Sequence, residues 1–234
     1  MIVSKKKRFI CVTIPKCASS SLRNMLYHSD SEVLLGKNHQ RAVEEKMKYP
    51  TLAGFCIDQK KRDCESLKNF KSYYKFTFVR NPYARLVSCW KNKVLTSSVE
   101  REYTHFHAEY WAEKFSKFNQ CSFPEFIEYI TSSEDTLKED NHWAPFYHLI
   151  PLWKMDFIGK VESFKDDARY ILSTLNIETK HKHVLLEPRN ASSLLFIMNS
   201  EANKKHFSSY YDKKTKNLVA QAYDLDFIKY NYKQ

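Results

Sequence analysis

The stretch RFICVTIPKCASSSLRNMLY, residues 8–27, decides how the chain is read. Residues 9–14 form an apolar run that stops at Pro15, which predicts a buried strand. A short loop follows, Lys16-Cys17-Ala18-Ser19-Ser20-Ser21, and then Leu22, Met25 and Leu26 recur on one face of a predicted helix. Strand, tight loop and helix N-terminus together make an anion site. The first helical N–H groups have no acceptor inside the helix, and the helix dipole favours negative charge there. Lys16 adds a full positive charge, and the three serines add hydroxyl donors. The plan is that of a phosphate loop, but the glycines of GxxxxGK[ST] are missing, which points to a different phosphate ligand. Taken alone, the loop also fits an ordinary capped helix start.

Working outward, 234 residues with 43% hydrophobic content predict one domain, 1–234, with a sizeable core. The net charge of +11 points to an anionic partner: a nucleic acid, a membrane surface, an acidic glycan or a nucleotide. A plain solvated basic surface is the alternative. No apolar run reaches the roughly 18 residues of a membrane span. The basic cluster at residues 5–8 and the apolar run after it lead into the Lys16 loop without a small-residue cleavage site, so they read as strand rather than signal. The chain as it stands is therefore expected to be cytoplasmic. Six cysteines without a CxxC pair predict free thiols in a reducing compartment.

Further along, residues 51–56 read as a short strand. Tyr74, Phe76 and Phe78 alternate with Lys75, Thr77 and Val79, which predicts another. That strand ends at Arg80-Asn81-Pro82, where the proline suits the first turn of a helix carrying Leu86, Trp90 and Val94. Short helices are predicted over 123–130, with Pro124 near the start, and over 213–223. A strand over 156–160 precedes a helix over 164–175, with Ser163 as N-cap and Asp166 set for a near capping box. Strands alternating with helices predict a mostly parallel sheet with helices on both faces. Residues 96–121 are the least regular part and are the candidate acceptor-binding insertion.

A second constellation lies in FTFVRNPYARLVSCWKNK, residues 76–93. Arg80 stands at the carboxyl end of a strand. Ser88, about 200° from Leu86 around the helix, faces away from the core, and Arg85 is expected to share its side. Arginine at a strand end and serine on the next helix can converge on one phosphate, since ligands of open α/β sheets bind at carboxyl strand ends.

At this point the chain resembles a known family. IPKCASSSL is similar to the 5′-phosphosulfate loop of sulfotransferases that use 3′-phosphoadenosine 5′-phosphosulfate (PAPS). FVRNPYARLVSCWKNK is similar to their 3′-phosphate motif, with the Arg-to-Ser spacing of eight kept. NHWAPFYHLIPLWKMDFIGKVESFKDDARYIL and the tail YYDKKTKNLVAQAYDLDFIKYNY resemble the carbohydrate branch, in particular the chondroitin/dermatan 4-O- and HNK-1 group. The resemblance covers most of the chain and is weakest over residues 29–70 and 96–121. It implies a P-loop-like three-layer α/β fold, with a central, mostly parallel sheet flanked by helices. It also implies in-line transfer of a sulfuryl group to a carbohydrate hydroxyl, with PAPS as co-substrate. By position, Lys16, Cys17, Ala18, Ser19, Ser20 and Ser21 would hold the 5′-phosphosulfate, and Arg80 and Ser88 the 3′-phosphate. Golgi members of the family carry a membrane anchor and a Cys-Pro-Cys stretch. Ile150-Pro151-Leu152-Trp153 stands in its place here, so a cytosolic enzyme of bacterial or viral type fits better.

A transferred sulfuryl group carries less charge than a phosphoryl group, so a lysine and helix N–H groups can stabilise it. No metal is expected: the pairs His105/His107 and His181/His183 lack further ligands at suitable spacing. The acceptor hydroxyl needs a general base, and His39 and His142 are equal candidates, with Glu44 and Glu45 behind them. The aromatic stretch 103–118 reads either as core or as a platform for an acidic sugar, with Arg101, Lys114 and Lys117 attracting the glycan. A carbohydrate, acidic in character, is the expected partner, and nucleic acid is not. The competing readings are a P-loop kinase and a non-catalytic basic protein that binds glycan or nucleic acid.

Overall fold

The computed structural model describes residues 2–4, 6–30, 71–94, 116–118, 121–151, 154–177 and 206–234. The predicted strand at 51–56, His39, Glu44, Glu45, Cys56, Cys64, both spaced histidine pairs and most of the 96–121 segment lie outside them. Two compact units emerge, Met1–Val79 with Ile150–Leu195, and Arg80–Leu149 with Phe196–Gln234.

The first unit is an α/β sheet of P-loop-like type. Its described strands are β1 (Ile2–Ser4), β2 (Phe9–Val12), β3 (Tyr74–Val79) and β4 (Phe157–Lys160), in spatial order β1-β2-β3-β4. β2, β3 and β4 run parallel, and β1 pairs antiparallel with β2, Val3 facing Ile10. β1 was not anticipated: three residues are too few to show alternation. The predicted β4 starts one residue late because Asp156 is a clamp. Its N–H donates to the Lys75 carbonyl at 2.7 Å, and its carboxylate accepts from the Lys75 N–H at 2.7 Å.

Register puts Phe9 and Cys11 of β2 on the same face as Phe76 and Phe78 of β3. That face packs against Leu22, Met25 and Leu26 of α1 (Ser19–Asp30) and against Phe164, Ala168, Ile171 and Leu172 of α6 (Phe164–Thr174). The opposite-facing Ile10, Val12, Thr77 and Val79 are buried as well. Strands apolar on both faces are what a covered parallel sheet requires. Gly159 is there for space: a Cβ would come within 2.6 Å of the Phe78 ring.

The expected capping box at Ser163 does not form. A 3-10 turn, Val161–Ser163, leads into α6 and swings Asp166 outward to pair with Arg169 at 3.0 Å. Asp167 reaches back instead, accepting from the Ser163 hydroxyl at 2.8 Å and from the Lys160 N–H at 2.7 Å.

The second unit is helical: α2 (Pro82–Lys93), α3 (Phe123–Ile130), α4 (Glu134–Lys138), α5 (Phe146–Leu149), α7 (Lys213–Ala222) and α8 (Asp224–Lys229). Leu86, Trp90, Phe126, Trp143, Tyr223 and Phe227 lie in one core. Phe118 joins it, edge-on to Phe126 and Trp143, so this end of the aromatic stretch is core and not a sugar platform. Lys117 is correspondingly tied to Glu139 and to the Tyr129 hydroxyl. α3 starts with a full capping box between Ser122 and Glu125. The described cysteines 11, 17, 89 and 121 are free thiols. Among the described residues no helix is long and apolar enough to cross a membrane, and no cluster of three His, Cys, Asp or Glu could hold a metal.

Candidate active site

In the first unit the sheet hands the chain to the Lys16 loop at the carboxyl end of β2, beside the carboxyl end of β3, where Val12 pairs with Thr77. The Thr77 hydroxyl donates to the Val12 carbonyl at 2.7 Å and fixes that end. The loop reaches without glycine the backbone conformation that glycine makes easy. Lys16 (φ 67°) and Ala18 (φ 55°) both sit in the left-handed region. A left-handed residue costs a non-glycine side chain about 1–2 kcal/mol, so two within three residues mark stored strain. Such alternation turns successive backbone N–H groups to one side and makes an anion-binding concavity. The Cys17 N–H closes the turn onto the Ile14 carbonyl at 3.2 Å, and the Cys17 thiol is buried, so Cys17 shapes the loop. The Leu22 N–H donates to the Ala18 carbonyl at 2.9 Å, the first helical bond of α1. Lys16, Ala18, Ser19 and Ser20 stay partly exposed, whereas Ser21 turns inward at 4% exposure.

In the second unit Arg80 and Asn81 lead into α2. Asn81 caps the helix, its side-chain oxygen accepting from the N–H groups of Tyr83 at 3.0 Å and Ala84 at 3.4 Å. This cap was legible as Asn followed by Pro at the first helical position. Along residues 82–90 every side chain is buried except Ser88, as its angular position predicts. Arg80 is partly exposed too. Arg85 departs from expectation: it is 1% exposed and turns into the core. Its guanidinium donates to the carbonyls of Asn141 (2.9 Å), Trp143 (3.4 Å) and Ala144 (2.7 Å), and it lies 4.8 Å over the Phe146 ring. Backbone acceptors in a dry core outcompete the solvent-facing side of α2 for a guanidinium.

The segment that Arg85 grips carries His142. Its Nδ1 stands 2.6 Å from Asp140 Oδ1, and its backbone N–H donates to the same oxygen at 2.8 Å. Asp140 is buried, while the His142 side chain is 15% exposed. Sequence reading passed over Asp140, although Asp two residues before His is the spacing of an Asx turn. The buried partners on the other side come from the C-terminal tail. The Tyr223 hydroxyl donates to the Trp143 carbonyl at 2.8 Å, and both Asp226 oxygens accept from the Phe146 N–H at 3.0 and 2.9 Å. Burial raises the Asp226 carboxyl to about 6, with the Phe146 N–H and Arg85 opposing the rise, and burial raises the Tyr223 hydroxyl well above its ordinary value.

The sulfotransferase family profile matches residues 1–233. The chain belongs to the sulfotransferase family. Among curated proteins it is 30% identical over 180 residues to carbohydrate sulfotransferase 14 of Danio rerio, an alignment covering 74% of this chain and 47% of that protein. It is 24% identical over 258 residues to carbohydrate sulfotransferase 11 of Mus musculus, covering 99% of this chain and 66% of that one. With carbohydrate sulfotransferase 10 of Xenopus laevis it shares 26% identity over 257 residues, 100% of this chain and 67% of that protein. The chain spans about half the length of the carbohydrate sulfotransferase 14 relatives it matches. No solved structure matches it significantly.

Proposed function

We propose that the protein is a PAPS-dependent carbohydrate O-sulfotransferase. The observation that carries the reading is the strained turn, left-handed at Lys16 and Ala18, at the N-terminus of α1; a turn of that kind can offer backbone donors and a lysine to one anion. The donor supplies an activated sulfuryl group. Lys16, Ala18, Ser19, Ser20 and Ser21 hold its 5′-phosphosulfate, with Cys17 shaping the turn, and Arg80 and Ser88 hold its 3′-phosphate. His142 takes the acceptor proton through Nε2, because Nδ1 is engaged with Asp140. The acceptor oxygen bonds to sulfur as the sulfur–oxygen bond to the phosphate breaks, and Lys16 offsets the charge that develops on the phosphate. Support for His142 over His39 is its hydrogen-bonded carboxylate partner, the arrangement that fixes and strengthens a histidine base. The net charge of +11 favours an acidic glycan as acceptor.

A thermal-shift comparison tests the reading. Adenosine 3′,5′-bisphosphate and PAPS should raise the melting temperature, and ATP should not. A rise with ATP and Mg²⁺ alone would favour a kinase, and no rise with any nucleotide would favour a non-catalytic glycan binder. Arg80→Ala should weaken adenosine 3′,5′-bisphosphate about ten- to a hundredfold, the loss of a charged hydrogen bond, and leave 5′-AMP nearly unchanged. Equal loss for both would remove Arg80 from the 3′-phosphate.

A further inference from the structure

The turn that carries His142 is over-determined. The Asp140 carbonyl accepts from the N–H groups of Trp143 (3.1 Å) and Ala144 (2.8 Å), while Asp140 Oδ1 accepts from the backbone N–H of His142 and stands 2.6 Å from its ring Nδ1. Arg85 binds three further carbonyls of the same turn, Tyr223 binds one of them again, and Asp226 takes the Phe146 N–H that follows. The Trp143 indole N–H is anchored on the Thr136 carbonyl at 2.9 Å. Burying a guanidinium costs several kcal/mol unless its donors are satisfied. Here three of its hydrogen bonds go to the backbone on either side of His142, which a role in core packing alone does not require.

We propose that Asp140 is the positioning residue of His142, fixing the tautomer that carries its proton on Nδ1, and that Arg85, Tyr223 and Asp226 form a buried frame holding the turn that presents the pair. This rests on the reading of His142 as general base, but the geometry and the chemistry can be tested apart. A carboxylate at Nδ1 accepts a proton and cannot give one when ionised, so the ring's basic nitrogen becomes Nε2. It also stabilises the imidazolium formed when the acceptor proton arrives, as an aspartate does in a hydrolase triad. Arginine suits the frame because its planar fork can reach several carbonyls at once, which one ammonium cannot.

The test uses the whole chain labelled with ¹⁵N-histidine, the His142 signals being those lost in His142→Gln. The neutral ring should show a protonated Nδ1 and a bare Nε2. Asp140→Asn, near-isosteric, should mix or reverse that tautomer. It should also lower kcat about 10–100-fold, measured with PAPS and chemically desulfated dermatan, while the Kd for adenosine 3′,5′-bisphosphate stays put. Arg85→Lys should mix the tautomers too, and Tyr223→Phe, which deletes one hydroxyl, serves if the lysine variant does not fold. A wild-type ring protonated on Nε2, or an unchanged tautomer in Asp140→Asn, overturns the role of Asp140. A folded Arg85→Lys or Tyr223→Phe protein with the tautomer intact overturns the frame. Full turnover in His142→Ala alongside the expected tautomer sinks the general-base reading and leaves the geometry standing.

Discussion

The turn after β2 and the turn ahead of α5 hold polar groups by opposite means. At Lys16–Ser21 the backbone does the holding. Two left-handed residues, Lys16 and Ala18, and the start of α1 shape it. At Asp140–Phe146 side chains hold the backbone: a buried arginine, a tyrosine and an aspartate brought from α2 and the C-terminal tail. The first is written in contiguous residues and the second in residues more than 50 apart, Arg85 to Ala144 and Phe146 to Asp226. On the proposed function, the first would meet a highly charged donor and could rely on main-chain dipoles, which need little support. The second would aim one nitrogen, and such a nitrogen needs its scaffold pinned on several sides.

The contrast is sharpest at Lys16. Lys16→Ala should cut kcat about 10²–10³-fold, the scale of losing one transition-state donor. The melting temperature should hardly move, since the side chain is partly exposed. A large loss of stability with little loss of rate would make the loop structural and break the comparison.

Next comes acidity in the buried frame. Asp226 is raised from 3.8 to about 6 in the folded chain by burial. The native state then binds more protons than the unfolded one between about pH 4 and pH 6, so this residue's contribution to stability is full below pH 4 and is lost as pH rises through 6. The loss is on the order of 3 kcal/mol, two pH units at about 1.4 kcal/mol each. Denaturant titrations at pH 4, 5, 6 and 7 should show that slope in the wild type, and its absence in Asp226→Asn. Parallel curves for the two proteins would place the titration elsewhere.

A smaller effect concerns the strain in the loop. Ala18→Val puts a β-branched side chain at φ 55° and should cost about 1–3 kcal/mol, with weaker adenosine 3′,5′-bisphosphate binding. Ala18→Gly should keep binding and change stability by less than about 1 kcal/mol, since relief of strain offsets the added freedom of the unfolded chain. Unchanged binding in the valine variant would mean that the loop's left-handed turn is incidental. Beneath the loop, Gly159→Ala should cost about 1–3 kcal/mol by overpacking the Phe78 ring, with binding intact in the folded fraction.

Much of the fold was readable from local pattern. The alternation in Tyr74–Val79, the helical stripe Leu22, Met25 and Leu26, and Pro82 at a helix start each express a short-range rule, and each is found in place. Ser88 faces outward for the same reason, since a helix fixes the angle between residues two apart. Local rules failed where another partner competed for the same group. Ser163 lost its capping box to a 3-10 turn and to Asp167 four residues on, and Arg85 turned from the side of Ser88 to the carbonyls of Asn141 and Ala144.

The sequence by itself determined that a basic, glycine-poor turn joins a buried strand to an amphipathic helix, and that a second motif follows the next strand. Those are properties of consecutive residues, set by sterics, periodicity and the unsatisfied ends of helices. Only the tertiary structure decided that Lys16 and Ala18 take left-handed conformations, that Arg85 turns inward, and that Asp140 and His142 share a hydrogen bond inside a frame closed by Tyr223 and Asp226. The reason is energetic. A buried charge goes wherever its hydrogen bonds can all be met, and which carbonyls are within reach is fixed by the packing of the helices around it.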